Sequence, residues 1–321
     1  MSTAGGGADP RYPADVGQVH RIDPADAGAM SELTRYVELV EAEHGHPLLS
    51  DSIRLVIADP DRGDALRAVI IRHGDQIQGC ALSGPANGGR VVEVVVPYDH
   101  GGDAEVDVVA TLLGAISDAD RAGTPLIWWC RGHEPWADEV AARAGLIEHR
   151  RLLQMRLPLD ADVVSRLRQF AYATRPFRPG VDDTSWLELN NRCFADHPEQ
   201  GDWTADDLRR RLAALWFDAA GFLMYPVEGS PIAFCWTKVH PADAHDPALG
   251  EIYVIGVDPD HVGQGHGRAL TSAGLVSLAD RGLRVGMLYV DAANSAAVRL
   301  YKSLGMAVHH QDRAFIVPTR P

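Results

Sequence analysis

Lysine is nearly missing from this 321-residue chain. Lys238 and Lys302 are the only two, and arginine carries almost all the positive charge. The formal net charge of −14 argues against nucleic acid or an anionic membrane as the main partner. Cysteine is scarce too. Cys80, Cys130, Cys193 and Cys235 are widely scattered with no C-x-x-C pair, and they read as reduced, mostly buried thiols of a cytoplasmic protein. No apolar run approaches the length of a membrane span, and the N-terminus lacks a basic-then-apolar signal, so a soluble protein without a membrane partner is expected. An apolar fraction of 46% over this length is enough for full cores in two domains of ordinary size.

The most informative stretch is residues 250–270, G-E-I-Y-V-I-G-V-D-P-D-H-V-G-Q-G-H-G-R-A-L. Residues 251–257 are rich in β-branched and aromatic types and stop at Asp258-Pro259, which reads as a strand. Gly263, Gly265 and Gly267 follow at alternate positions, then Leu270, Ala273, Leu275 and Leu278 at helical spacing. In a strand–glycine turn–helix unit, backbone N–H groups converge on one point and the helix N-terminus adds partial positive charge there. A phosphate or diphosphate suits that point; a plain tight connection is the alternative. Two better-known loops are excluded. Gly267-Arg268-Ala269 replaces the Gly-Lys-Ser/Thr of a P-loop, and the third glycine comes one place too early for a dinucleotide fingerprint.

Residues 1–26, rich in Gly, Ala, Pro and Asp, read as a disordered leader. Met30, Leu33, Val37 and Val40 mark a helix ended by His44-Gly45-His46-Pro47. The two histidines lack a third ligand in view and read as a solvated loop, so no metal is expected. A hairpin over 66–71 and 77–82, a strand over 91–96, a helix over 104–122, a strand over 126–130, a helix over 136–144 and a strand over 147–157 follow. The same order returns in the second half. It has helices over 183–195 and 204–215, a hairpin over 222–227 and 232–239, the strand and loop above, a strand over 287–290, a helix from Ser295 and a strand after Gly305-Met306. This reads as a duplication, with one domain over 27–158, a second over 159–321 and the join near 158–175. The first copy carries Tyr98-Asp99-His100-Gly101-Gly102-Asp103-Ala104-Glu105 where the glycine loop would fall, and its carboxylates would repel a diphosphate.

Val-Asp-Pro, a Gly-x-Gly turn and a helix, with the later Asn294-Ser295-Ala296-Ala297-Val298-Arg299-Leu300-Tyr301-Lys302-Ser303-Leu304-Gly305 segment, resemble the acetyl-coenzyme A signature of the GNAT N-acetyltransferase superfamily. One departure is Val262, where that family usually has Gln or Arg. The His197-Pro198-Glu199-Gln200, Trp236-Thr237-Lys238-Val239-His240 and Gly250-Glu251-Ile252-Tyr253 segments are similar, in order and spacing, to the mycothiol synthase family of tandem GNAT enzymes. The likeness is dense over 185–306 and thin before 145. It implies an α/β (α+β) fold of two tandem GNAT-type domains, each a mixed sheet flanked by helices, with one working cofactor site in the second.

By this resemblance, acetyl-CoA is the co-substrate, held by Ile255, Gly256, Val257, Val262, Gly263, Gln264, Gly265, His266, Gly267, Arg268 and the 294–299 segment (Asn294, Ser295, Ala296, Ala297, Val298, Arg299). The acceptor would be the cysteinyl amine of a small amino-sugar–inositol conjugate, touched by Asp51, Glu199, Lys238, Glu251 and Tyr289, and the protein a monomer. Glu251 would orient the ammonium and take its proton, and Tyr301 would protonate the departing sulfur. On residue chemistry alone, Glu251 also reads as a carboxylate in a surface ion pair and Tyr301 as a core tyrosine. Trp203, Trp216 and Trp236 read as sugar platforms or as core. Two other functions stay open: acetylation of another amine (an aminoglycoside, a polyamine or a protein N-terminus), and a non-catalytic acyl-CoA sensor.

Overall fold

A computed structural model describes residues 16–45, 47–58, 65–86, 89–97, 103–119, 125–131, 136–195, 200–227, 229–243 and 246–316. The chain divides into two compact units, one of residues up to Arg150 together with those from Asp312, the other Arg151–Gln311.

The first unit contains β1 (Gln18–Ile22), α1 (Ala27–His44), α2 (Asp51–Ala58), β2 (Arg67–His73), β3 (Gln76–Ala86), β4 (Gly89–Val95), α3 (Asp103–Ala119), β5 (Leu126–Cys130) and α4 (Ala137–Ala144). Asp26 caps α1 by accepting from the Gly28 and Ala29 N–H groups, and Gly45 closes it at φ 71°. β1 to β4 run antiparallel in sequence order, and β4 pairs β5 in parallel. The helix α3 makes that crossover and packs Val109, Leu112 and Ile116 into a core with Val69, Ile71 and Trp128. Residues 18–22, expected in a disordered leader, instead form β1 and pair with β2 from Gln18↔Arg72 to Ile22↔Ala68. Their composition is poor in apolar residues, but an edge strand is held by its ladder and by the burial of Val16 beside it. Residues 1–15 and the degenerate loop at 98–102 lie outside the described residues.

The second unit takes β6 (Ile147–Pro158) from Arg151 on, then α5 (Ala161–Arg168), β7 (Arg175–Pro176), α6 (Asp183–Cys193), α7 (Ala205–Leu212), β8 (Phe222–Val227), β9 (Ser230–His240), β10 (Leu249–Val257), α8 (His266–Asp280), β11 (Val285–Asp291), α9 (Ser295–Leu304) and β12 (Ala307–Ile316) up to Gln311. Its sheet runs β7-β8-β9-β10-β11-β6. Among the described residues, β10 and β11 form its parallel pair, again joined by a helix, here α8, and its other neighbouring strands are antiparallel. Thr204 and Asp207 form the expected capping box of α7.

The two faces of this sheet carry separate cores. On one face α8 and α9 bury Leu270, Leu275, Leu278, Tyr301 and Leu304 against Cys235, Ile252 and Leu288. The fit is close: a Cβ on Gly274 of α8 would lie 2.5 Å from Cys235 Sγ, so a side chain there would push the helix off the strands. On the other face an aromatic cluster of Phe177, Trp186, Phe222, Phe234 and Trp236 packs under α6, with the Phe222 and Trp236 rings stacked at 4.3 Å. Trp236 and Trp203 are thus core residues, whereas Trp216 is half-buried at the edge.

Candidate active site

β10 and β11 start side by side, from Leu249↔Val285 to Ile252↔Leu288. Past that pair β10 continues to Val257 beside β9, while β11 continues to Asp291 beside β6. Among the described residues no pairing joins the two strands beyond Ile252↔Leu288, so they part into a fork. A β-bulge between Ile252 and Val254 in the β9 ladder bends β10 at the same place. The facing backbone edges of a fork can pair with an extended ligand that carries amides. Of the residues assigned to the cofactor, Ile255, Gly256 and Val257 are on the β10 prong.

From Val257 the chain passes through Asp258 and a single 3-10 turn, Pro259–His261, into the glycine loop. Gly263 and Gly265 hold φ of 85° and 89°, a region that side chains rarely adopt, and Gly265 is the N-cap of α8. No side chain caps that helix, so its first N–H groups are left for a ligand. His266, the first helical residue, sits in edge contact with Tyr172, and its Nδ1 is buried without a hydrogen-bond partner. Arg268 donates to Ser303 Oγ at 3.0 Å, which ties the first turn of α8 to α9. Asp258 stands at the entrance of the loop. Burial opposes its charge, but the Arg192 guanidinium at 2.6 Å and the Asp260 N–H outweigh this and lower its pKa. Arg192 therefore offsets an anion that would otherwise repel a diphosphate. The α9 segment starts at Asn294, whose side chain accepts from Ala297 N–H at 3.0 Å, and Ser295, Ala296 and Arg299 are exposed. Val262 is 68% exposed and donates its N–H to Pro259 O, so its side chain holds nothing in place.

Glu251 lies one residue before the fork opens. It is 7% exposed, on the sheet face opposite α8, directly across from Lys238 on β9 and Met287 on β11. Its Oε2 is 2.7 Å from His240 Nε2. The Lys238 ammonium lies 4.9 Å from the Trp216 ring and 5.6 Å from the Tyr253 ring. Tyr289 is two residues beyond Met287 on β11, hence on the Glu251 face, and its Oη accepts from Gln154 Nε2 at 2.8 Å. Gln154 Oε1 accepts in turn from Arg156 Nε at 2.6 Å, and Asp246 clamps Arg156 through both of its other nitrogens. Lys238, Glu251 and Tyr289 therefore share one face around the start of the fork. Tyr301 belongs to the core on the opposite face of the sheet, with burial the main cause and Cys235 a lesser one in raising its pKa, so its phenol keeps its proton. Burial likewise pushes the thiols of Cys193 and Cys235 up to about 12, so neither supplies a thiolate that would compete for an acyl group. Asp51 is in the first turn of α2, in the first unit. Glu199 lies outside the described residues. His240 was not singled out by its residue type. Its signal in the sequence is parity, since it is two places from Lys238 in one strand.

A sheet forked beside an uncapped, glycine-led helix defines the GNAT class of acetyltransferase, and residues 184–306 match the acetyltransferase (GNAT) family. Over greater lengths, the chain is similar to the mycothiol acetyltransferase of Thermobispora bispora, 44% identical over 243 residues, 74% of this chain and 79% of that protein. The mycothiol acetyltransferase of Parafrankia sp. is 38% identical over 319 residues, 93% of this chain and 97% of that protein. The chain belongs to the mycothiol acetyltransferase family. Its fold is also similar to that of a GCN5-related N-acetyltransferase from Sphaerobacter thermophilus, with a TM-score of 0.62 at 21% identity over 97% of this chain and 98% of that one.

Proposed function

We propose that this chain transfers the acetyl group of acetyl-CoA to the cysteinyl amine of a cysteinyl-glucosaminyl-inositol conjugate, the step that gives mycothiol. The observation that carries the reading is the position of Glu251, a buried carboxylate one residue before β10 and β11 part. Three features suit coenzyme A: the fork, the uncapped N-terminus of α8, and the buried His266 Nδ1 without a partner. When bound, acetyl-CoA supplies an acetyl thioester and a thiolate leaving group.

The chain's own residues do the rest. N–H groups of residues 263–268, beside Val262, take the diphosphate, and the β10 edge at Ile255–Val257 takes the pantetheine amides and polarises the thioester oxygen. Residues 294–299 line the other side. Glu251 binds the acceptor ammonium and accepts one proton from it, which frees the nitrogen lone pair for attack. The freed nitrogen bonds to the acetyl carbon as that carbon's bond to sulfur breaks, and Tyr301 gives its phenolic proton to the departing sulfur. The second proton shed by the nitrogen restores the Tyr301 phenol through solvent. Lys238 and Tyr289 engage hydroxyls of the sugar or inositol, and Asp51 and Glu199 are assigned as further contacts on the sequence resemblance alone. The aim of all these groups is one geometry, an amine held against a carbonyl.

The test is release of free CoA thiol when the protein meets acetyl-CoA and the cysteinyl conjugate. Thiol release that depends on the conjugate supports the reading. Release only with an aminoglycoside, a polyamine or a peptide N-terminus moves the acceptor elsewhere, and cofactor binding without release makes the chain a sensor.

A further inference from the structure

The carboxylate of Glu251 has two oxygens, and only one has a partner among the described residues. Oε2 meets His240 Nε2 at 2.7 Å, while Oε1 meets none. The pairing follows from strand register. Lys238 is directly opposite Glu251 and His240 is opposite Leu249, so His240 is the diagonal neighbour of Glu251 on the same face. An ionised carboxylate has no hydrogen to give, so Nε2 carries the hydrogen and donates it. The pair is also graded in depth: the Glu251 side chain is 9% exposed and the His240 side chain 30%. Lys238, the other polar neighbour on β9, has its ammonium over the Trp216 and Tyr253 rings.

We infer that His240 is the positioning residue for Glu251. Its Nε2–H holds Oε2 and fixes the carboxylate's rotation, and this leaves the Oε1 lone pairs directed at the acceptor ammonium. A carboxylate on a freely turning side chain would spend part of its time misaligned, and a misplacement of about 1 Å costs up to about 100-fold in rate. One donor therefore sets where the proton-accepting oxygen lies. The inference rests on the acetyl-transfer reading, with Glu251 as the proton acceptor.

Three enzymes distinguish a positioning role from a merely structural one: wild type, His240→Ala and His240→Gln. The amide N–H of glutamine can replace the ring donor, whereas alanine has none. Steady-state kinetics with acetyl-CoA and the cysteinyl conjugate should show kcat falling roughly 10- to 100-fold in His240→Ala. The KM for acetyl-CoA and its calorimetric affinity should stay at wild-type values, and His240→Gln should recover most of the loss. Imidazole added to His240→Ala should also restore part of the rate, which keeps the test sharp if glutamine packs poorly. A His240→Ala enzyme as fast as wild type would overturn the inference. So would loss confined to acetyl-CoA affinity, or a slow His240→Ala enzyme that neither glutamine nor imidazole improves. Absence of turnover in the wild type would instead remove the acetyl-transfer reading itself.

Discussion

Glu251 and Tyr301 belong to opposite faces of one sheet, and their surroundings suit opposite tasks. A carboxylate held by a single donor can accept a proton. A phenol 7% exposed, with its pKa raised by burial, keeps the proton it is to give. Glu251→Gln keeps the shape and removes the base, so kcat should fall at least about 100-fold, while calorimetry shows unchanged acetyl-CoA affinity. Tyr301→Phe should cost a comparable factor in kcat, read in the same thiol-release assay, with little change in melting temperature. The shift of Tyr301 also has a sign in stability. The folded chain keeps this proton above the pH at which an unfolded tyrosine loses it, so the contribution is whole below about pH 10 and declines as pH rises further. Urea titrations from pH 8 to 11 should show wild type losing stability with rising pH more steeply than Tyr301→Phe.

At the scale of elements, the loop before α8 and the segment before α6 each make a prediction. Gly265→Ala puts a Cβ on a residue at φ 89°, at a cost of roughly 1–2 kcal/mol. Part of that strain should be relieved by turning the first N–H groups of α8, so acetyl-CoA affinity measured by calorimetry should drop more than thermal stability. Asp182 ties the entry of α6 together. It accepts from Arg178 Nη2 at 2.9 Å, from Arg175 Nη1 at 2.6 Å and from Arg178 N–H at 2.8 Å. Arg178 first, and then Arg175, hold its pKa well below the usual carboxylate range against the effect of burial. A lowered pKa stabilises the fold above the unfolded value and is lost as pH falls through the folded one. Asp182→Asn should therefore cost about 1–2 kcal/mol at pH 7, allowing for solvent around the arginines. Its denaturation free energy should change less than that of wild type between pH 5 and pH 3.

Elements with strong local patterns were legible in the sequence. The β10–loop–α8 unit was, because β-branched residues, Asp258-Pro259 and alternate glycines each leave a mark. α7 was too, through the Thr204–Asp207 box. α2 and α5 escaped notice. They are only eight residues long, too short for a helical period to show, and α5 has as its start signal only Asp160 accepting from Val163 N–H at 2.8 Å. β1 is held by β2 and not by its own composition. The fork could not be read at all, because the end of pairing at Ile252↔Leu288 depends on which strand stands on either side. The same holds for the His240–Glu251 contact, which needs the β9–β10 register.

At the scale of the whole molecule, both units use the same device, a meander of antiparallel strands that ends in one parallel pair closed by a helix: β4-α3-β5 in the first and β10-α8-β11 in the second. Their chemistry differs. The second has glycines at the head of its crossover helix, while the first has Asp103 and Glu105 in the first turn of α3. Acidic residues there favour a stable helix end and disfavour a phosphate guest. One coenzyme A per chain is therefore expected, and among the described residues no helix is long and apolar enough to cross a membrane.

The proposed chemistry depends on where the cofactor lies, and a crystal structure of this chain with coenzyme A measures that directly. The prediction is one coenzyme per chain, its diphosphate on the N–H groups of residues 263–268, its pantetheine between β10 and β11, and its sulfur beside Glu251. A coenzyme bound away from the fork, or a loop at 262–268 that makes no contact with the diphosphate, would contradict it.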